Sequence, residues 1–379
     1  MTFRFRTCTS LLVIWVLAIT PARALFNIDE GKNLIFVSAT YSIGLDTNVF
    51  TRAAGKESFT QSLSASVDYT RQAGLIAINV AVSASAGAFA NIHGQNFADP
   101  SVSVVFQKRY GRTTGSLSFS GKRESQPDPD AGQRTKDVDY ATNLSLRYPV
   151  NDRYYLTGGA GYSSKYYLND KPLFSDIASY SGSIAVNYIY TSKLDLSTGY
   201  NIGISDTSKD TKAYDQSVTI GASGSILPKL SGSVNVGVQR RDSDSVKGGH
   251  ESFLAFTSGS SVKWLFSRKL SFAGFLIDDF STTSTDISVN RLSTGINATA
   301  SLSSRYIGGA GLDYTLSNFL GVAGAGRQDN MFDFTANLGV ALTTHIRTSL
   351  NYSYSINYSN FPNASFERQT LALSVTATY

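Results

Sequence analysis

The sequence predicts an all-β fold: a single closed antiparallel transmembrane β-barrel of about 18 strands, with 16 as the alternative count. Three observations predict it. Apolar and polar residues alternate with a period of two from Asn33 to Tyr379, the pattern of strands with one apolar and one polar face. Charged residues are only 16% of the 379, against roughly 25% in an ordinary soluble domain. The connections alternate between short and long, eight short turns and nine longer polar loops separating eighteen segments.

The N-terminus is read separately. Arg4 and Arg6 precede nine apolar residues, Leu11 to Ile19, and Thr20-Pro21 ends that run before Ala22-Arg23-Ala24. A positive start, a short apolar stretch and small residues at −3 and −1 describe a secretory signal peptide, residues 1–24, cut after Ala24; an N-terminal core helix is the alternative. Residues 25–32 then form a short periplasmic segment, and 33–379 form the barrel. The single cysteine, Cys8, lies before the apolar run, so it is no lipidation site. The mature chain would hold neither thiol nor disulfide. Losing Arg4, Arg6 and Arg23 reduces 33 basic residues to 30, against 28 acidic ones. So small a surplus gives no basis for nucleic-acid binding.

Along the barrel the alternation is regular. In 59–69, Phe59, Leu63, Ala65, Val67 and Tyr69 alternate with Thr60, Ser62, Ser64, Ser66 and Asp68. In 348–358, Leu350, Tyr352, Tyr354, Ile356 and Tyr358 alternate with serine and asparagine. Leu75 to Ile92 has no charge and could be taken for a membrane helix. Its polar residues Asn79, Ser83, Ser85 and Asn91 all fall on odd positions, which sorts them onto one face of a strand and scatters them round a helix. Short turns lie near 71–74, 111–114, 149–153, 191–193, 227–229, 267–269, 303–305 and 343–346. Longer loops lie near 46–57, 93–99, 125–136, 168–177, 205–213, 243–251, 281–290, 317–330 and 359–365. The repeat near 40 residues suggests a propeller as well, but a blade needs four strands in that length and these hold two long ones. Segments of ten to fifteen residues suit tilted membrane strands of about 9–11. In lipid an unpaired strand edge is prohibitive, so the sheet closes. Tyrosines near strand ends, among them Tyr110, Tyr148, Tyr154 and Tyr190, fit interfacial girdles, although aromatic β-propensity also enriches them.

Two segments carry a resemblance. The last strand reads Leu371, Leu373, Val375, Ala377, Tyr379. It resembles the C-terminal signal of bacterial outer-membrane proteins, with Tyr379 where Phe is more usual. Tyr41 to Phe50, with Asp46, Asn48 and Phe50, resembles a segment following the first strand in the β-barrel porin family that includes exopolysaccharide-operon outer-membrane proteins. The resemblance implies a bacterial outer-membrane location, outer-membrane lipid and the barrel-assembly machinery as partners, and a porin-like barrel sometimes linked to polysaccharide secretion.

The chemistry-bearing residues are sparse. His93 and His250 fall in long loops and His345 in a short turn; His250 has Glu251 and Ser252 beside it, but neighbours on a strand face opposite ways. No two histidines have metal-ligand spacing. Asp46-Thr47-Asn48 and Asp128-Pro129-Asp130-Ala131-Gly132 lack the full spacing of a calcium loop. The glycine runs near 158–161, 308–311 and 321–326 lack the strand–loop–helix setting of a phosphate cradle. No enzyme activity, metal or cofactor is expected. Parity places Arg109, Lys122, Arg147, Lys165, Arg241, Lys263, Asp195, Asp313 and Asp333 in the lumen, together with Arg291, Arg368, Asp68, Glu124, Asp139 and Asp215. This mixture predicts no clear ion preference. The expected function is passive diffusion of small hydrophilic solutes, with exopolysaccharide export as the alternative and an outer-membrane hydrolase last. The weakly charged loop 317–330 is the expected segment to fold inward and narrow the pore. Oligomeric state and transported solute are not encoded legibly.

Overall fold

The computed structural model describes residues 26–28, 32–72, 74–169, 171–245, 248–324 and 326–379. The expected signal peptide, 1–24, and most of 25–32 lie outside them. A short strand β1 (Phe26–Ile28) precedes eighteen long ones. These are β2 (Asn33–Asp46), β3 (Ser58–Arg71), β4 (Ile76–Phe89), β5 (Phe97–Lys108), β6 (Thr114–Asp128), β7 (Gln133–Pro149), β8 (Tyr154–Tyr167), β9 (Ile177–Thr191) and β10 (Leu194–Thr207). They continue as β11 (Lys212–Leu227), β12 (Leu230–Ser245), β13 (Gly249–Trp264), β14 (Leu270–Thr282), β15 (Ser288–Ser301), β16 (Tyr306–Phe319), β17 (Gln328–Ala341), β18 (Ile346–Ser359) and β19 (Phe366–Thr378). One turn of helix, α1 (Gly321–Gly324), sits between β16 and β17. No helix among the described residues is long and apolar enough to cross a membrane.

Each long strand pairs antiparallel with its neighbours in sequence, and β19 pairs with β2, Thr370–Thr378 against Asp46–Ser38. The sheet is therefore a closed 18-strand barrel, to which β1 adds three residues against the start of β2. Tyr379 completes the seam: its N–H donates to the Val37 carbonyl and its carbonyl accepts from the Val37 N–H, both at 2.9 Å.

The barrel is apolar on the outside. Phe59, Leu63 and Val67, on one face of β3, are 62%, 58% and 46% exposed. On the opposite face hydroxyls pair across strands, Ser38 with Ser66 at 2.9 Å, Ser42 with Ser374 at 2.8 Å and Ser83 with Ser101 at 2.7 Å. Such ladders stabilise a wet interior. Buried apolar clustering among the described residues is confined to a loop-end group of Val49, Phe89 and Ile92, packed by Phe50 and Phe97.

The turns at one end span 72–75, 109–113, 150–153, 192–193, 228–229, 265–269, 302–305 and 342–345. The loops at the other span 47–57, 90–96, 129–132, 168–176, 208–211, 246–248, 283–287, 320–327 and 360–365. Longer loops mark the extracellular side. The segment read as a loop over 125–136 is mostly strand, β6 running to Asp128 and β7 starting at Gln133. Above the hydrocarbon a strand needs no apolar face, so its alternation signal disappears.

One seam is short. β13 and β14 pair only over Ser258–Trp264 and Asp278–Phe272, while β14 and β15 pair along all of β14. The upper part of β14 thus separates from β13 and runs with β15.

Candidate pore and its roofed mouth

The β6–β7 turn is built by its own sequence. The Asp128 carboxylate accepts from the Asp130 and Ala131 N–H groups at 2.9 and 3.3 Å, and Gly132, at φ 64°, donates to the Asp128 carbonyl. This is an Asx turn closed by a residue in the left-handed region, where glycine is unstrained. β6 and β7 are the fifth and sixth long strands, and β15 and β16 are the fourteenth and fifteenth. Nine strands away in a ring of eighteen is the opposite wall. The turn reaches that wall. Arg291 of β15 donates to the Asp130 carboxylate at 3.0 Å. Arg327, beside β17, donates to the Asp130 carbonyl at 2.8 Å. Ser284, between β14 and β15, donates to Asp128 at 2.5 Å. The tip is a strap across the mouth. Burial pushes the Asp130 carboxyl above the usual carboxylate range and neighbouring Asp128 adds to this, while Arg291 and Arg327 pull it back.

The β14–β15 loop covers the mouth from the other side. Asp286, at φ 67°, accepts from the Thr207 and Thr211 hydroxyls at 2.8 and 2.9 Å. The Ser284 carbonyl accepts from the Ser175 N–H at 2.8 Å. Beneath the two segments lies a cavity of about 400 Å³, lined by Thr135, Lys165, Tyr167, Arg291, Asp329 and Asn357 among others. The expected inward segment, 317–330, is not the strap. It meets the strap from the opposite wall: Arg327, lying over the Phe319 ring, holds the Asp130 carbonyl, and Ser317 and Asp329 line the cavity, while the Glu251 carboxylate accepts from the Val322 N–H at 2.9 Å.

Arg241 is the largest fully buried side chain among the described residues, 1% exposed. It binds both Asp215 oxygens at 2.7 Å, donates to the Ser281 carbonyl at 2.7 Å and lies over the Phe280 ring. It rivets β12 to the separated end of β14. Lys122 and Lys165 meet Glu124, Asp137 and Asp139 at 2.7 to 3.7 Å. The three carboxylates could jointly face a cation, but two ammonium groups already share their charge. Arg147 lies 3.8 Å above the Tyr155 ring, whose hydroxyl donates to Asp195 at 2.7 Å. Asp313 and Asp333 stand directly opposite each other on β16 and β17, with Ser355 donating to Asp333. Lys263 shares the inward face through its register with Ser231 and Ala273. Arg109 stands one residue past the end of β5, its Nε bonded to Gln107 at 3.0 Å on the side that parity gave it. It falls in the 109–113 turn, exposed, because β5 ends one residue earlier than its alternation suggests.

Below the mouth is a second space of about 1070 Å³. Its lining is dominated by hydroxyls and amides such as Ser183, Asn187, Asn201, Thr219 and Gln239, with Asp215 and Asp279 the charged members.

The motif residues serve the wall. Asp46 holds Arg368 through both carboxylate oxygens, at 3.1 and 2.7 Å. Asn48, 2% exposed, donates to the Arg52 and Glu367 carbonyls at 2.8 and 2.9 Å. Val49 enters the small apolar cluster that Phe50 flanks. Together they tie the loop after β2 to β19 at the closing seam. Tyr379 stacks on His345 at 5.3 Å. His250 pairs with Asp244 at 2.7 Å rather than with its neighbours in sequence, and both side chains are exposed.

Sequence parity identified Arg291, Arg241 and Lys165 as inward. It missed Asp130, which holds Arg291, Tyr155, which lies between Arg147 and Asp195, and Ser284, which donates to Asp128. Asp128 to Gly132 carried a turn signal, but nothing in that signal says where the turn points.

Residues 201–379 match the family model described as "Putative beta-barrel porin 2". No curated protein matches the chain in sequence. Among solved structures, OccK2 (OpdF) of Pseudomonas aeruginosa is 11% identical, with a TM-score of 0.50 over 91% of this chain and 98% of that one. The FrpB iron transporter of Neisseria meningitidis (F3-3 variant) is 10% identical, with a TM-score of 0.50 over 87% of this chain. The chain spans 63% of that transporter's length. The outer membrane protein OpdK of Pseudomonas aeruginosa is 10% identical, with a TM-score of 0.47 over 91% and 99% of the two chains. At these identities the likeness is one of fold, that of a porin-like outer-membrane barrel.

Proposed function

We propose that this porin-like outer-membrane barrel is a passive diffusion channel for small hydrophilic solutes, with uncharged hydroxylated molecules favoured in its lower lumen. The observation that carries this reading is the lining of the 1070 Å³ space, where hydroxyl and amide groups predominate. Such groups exchange hydrogen bonds with a polyol or sugar as readily as with water and hold neither for long, which is what permeation requires. Charge is concentrated above, where Lys122, Lys165 and Arg291 already face carboxylates. Entry therefore passes a charge-balanced, strapped mouth and continues past a hydroxyl- and amide-rich wall on the β7–β14 side, with Arg147, Asp195, Lys263, Asp313 and Asp333 spaced around the inward face.

No chemical step is assigned. The exposed His250–Asp244 pair stands outside the lumen lining, with Arg240 holding the nearby Ser252 hydroxyl at 3.2 Å.

The hydroxyl-rich lining also suits a neutral polysaccharide, so export of such a polymer is the second reading. It requires the strap to be released, because a chain cannot pass the tip while Asp130 is held by Arg291.

Refolded protein in planar bilayers tests both readings. Stable conductance that uncharged sugars of increasing size progressively block is expected of the channel. Silent membranes from correctly folded protein would overturn it, and normal surface glycan in a deletion strain would remove the polymer reading.

A further inference from the structure

The eight short turns carry eight lysines and arginines and one acidic residue, Asp152. Among the described residues no salt bridge involves any of them. These cations sit at the edge of the apolar wall, level with exposed rings of Tyr110, Tyr148, Tyr154 and Trp264. That level is the headgroup layer of the periplasmic leaflet.

At one place the wall beneath them is grooved. A depression of about 670 Å³ on the outer face of β12 to β15 is lined by Leu230, Val262, Trp264, Phe272 and Ile296, with Gly274 among its lining residues. Its lining is almost wholly apolar, and its volume falls within the ~300–1,000 Å³ range of small-molecule sites. Trp264 and Phe272 stack at 5.6 Å, and Phe266 meets Trp264 edge-on at 5.2 Å, forming a rigid aromatic border. Above that border the 228–229 and 265–269 turns are tied together. Lys229 donates through Nζ to the Phe266 carbonyl at 3.3 Å, and its own carbonyl accepts from the Leu265 N–H at 2.8 Å. This brings Lys229 beside the turn that carries Arg268 and Lys269.

We infer that this groove is a binding site for one anionic phospholipid of the periplasmic leaflet, its acyl chain in the groove between Leu230 and Ile296 and its phosphate under Lys229, Arg268 and Lys269. An acyl chain fits the apolar lining, and three unneutralised cations at the headgroup end select a net negative lipid over a zwitterionic one. The inference is independent of whether the lumen conducts.

Trp264 is one of two tryptophans in the sequence, the other being Trp15. With Trp15→Phe it becomes a single reporter inside the groove. The full chain carrying that change is refolded into phosphatidylcholine vesicles. Acyl-brominated phosphatidylglycerol or acyl-brominated phosphatidylcholine is then added at equal mole fraction, and quenching of Trp264 is followed. Phosphatidylglycerol should associate about fivefold more strongly, the preference that one well-placed cation near an anionic headgroup supplies. The Lys229→Ala, Arg268→Ala, Lys269→Ala triple variant should lose the preference yet keep the heat-modifiable mobility of a folded barrel. Equal quenching by the two lipids in the parent, or a preference that survives in the triple variant, would overturn the proposal. Should the triple variant fail to fold, raised salt serves instead: a preference that salt leaves intact counts against the site.

Discussion

The two rims of this barrel handle charge in opposite ways. The nine extracellular loops hold six basic and six acidic residues, while the eight periplasmic turns hold eight basic and one acidic. At the first rim some of these charges are held by carboxylates or guanidiniums: Lys171 by Asp176 within a loop, and Asp130 and Arg327 by Arg291 and Asp329 of the strands below. At the second, none of the cations forms a salt bridge among the described residues. Balanced charge folds loops onto one another and across a mouth. Unbalanced charge on short turns faces outward, toward whatever anion the interface supplies. The same residue types therefore do structural work at one end and recognition at the other, and loop length decides which is possible.

The comparison breaks most severely at Arg241. Arg241→Ala would leave Asp215 without its bidentate partner and release the upper end of β14. Removing one member of a buried ion pair costs about 3–5 kcal/mol. Urea unfolding in detergent, followed by the mobility shift of the folded barrel, should show a loss of that size. A loss below about 1 kcal/mol would mean that this pair behaves like a surface one and that the extracellular charges are not structural.

The wall was legible in the sequence because period two is enforced by the lipid on one side and water on the other. The eighteen long strands follow from it together with the turn signals between them, although 270–280 is apolar on both faces. Residues above the hydrocarbon escape that constraint, so 125–136 lost its alternation and looked like loop, although most of it is strand. For the mirror-image reason the end of β5 before Arg109 was not legible, since parity continues past the last hydrogen bond of a strand without any signal that it has ended. The strap was illegible altogether. Asp128 and Gly132 encode the turn locally, but its docking depends on Arg291 and Arg327, more than 160 residues away in sequence. Segment 317–330 was singled out for its low charge, whereas the strap that actually crosses is acidic because its receiving wall is basic. Asp46, Asn48 and Phe50 were recognisable as a motif, but their work at the seam shows only when β19 lies beside β2.

A milder break is the strap itself. Asp130→Ala keeps the turn, which Asp128 builds, and removes the carboxylate that Arg291 holds. Stability should fall by about 1–3 kcal/mol, between an exposed pair and a fully buried one, since the Arg291 side chain is 38% exposed and that of Asp130 17%. Single-channel conductance should rise by a factor on the order of two, because one constriction in series has opened. Acid should mimic the variant. The Asp130 carboxyl is raised above the ordinary carboxylate range by burial, so on acidification it becomes neutral while ordinary carboxylates are still charged, and its pair with Arg291 is lost before theirs. Conductance of the parent should therefore step upward between neutral pH and that ordinary range, and the step should be missing in Asp130→Ala. A step of the same size in the variant would assign the gating to another carboxylate.

The smallest effect belongs to the periplasmic rim. Arg153 reaches only the Tyr188 hydroxyl, at 3.4 Å, and its side chain is exposed. Lys193 forms no salt bridge among the described residues. Arg153→Ala and Lys193→Ala should each leave unfolding within about 0.5 kcal/mol of the parent, as surface changes do. The backbone under Lys193 is another matter. Its carbonyl accepts from the Ser225 N–H at 2.7 Å, and a Cβ on Gly224, at φ 125°, would stand 2.1 Å from that carbonyl oxygen. Gly224→Ala in the adjoining strand should therefore cost about 1 kcal/mol or more, measured in the same urea series. If the lysine variant proves the costlier of the two, the periplasmic cations are bracing the turns and are not free to meet an anion.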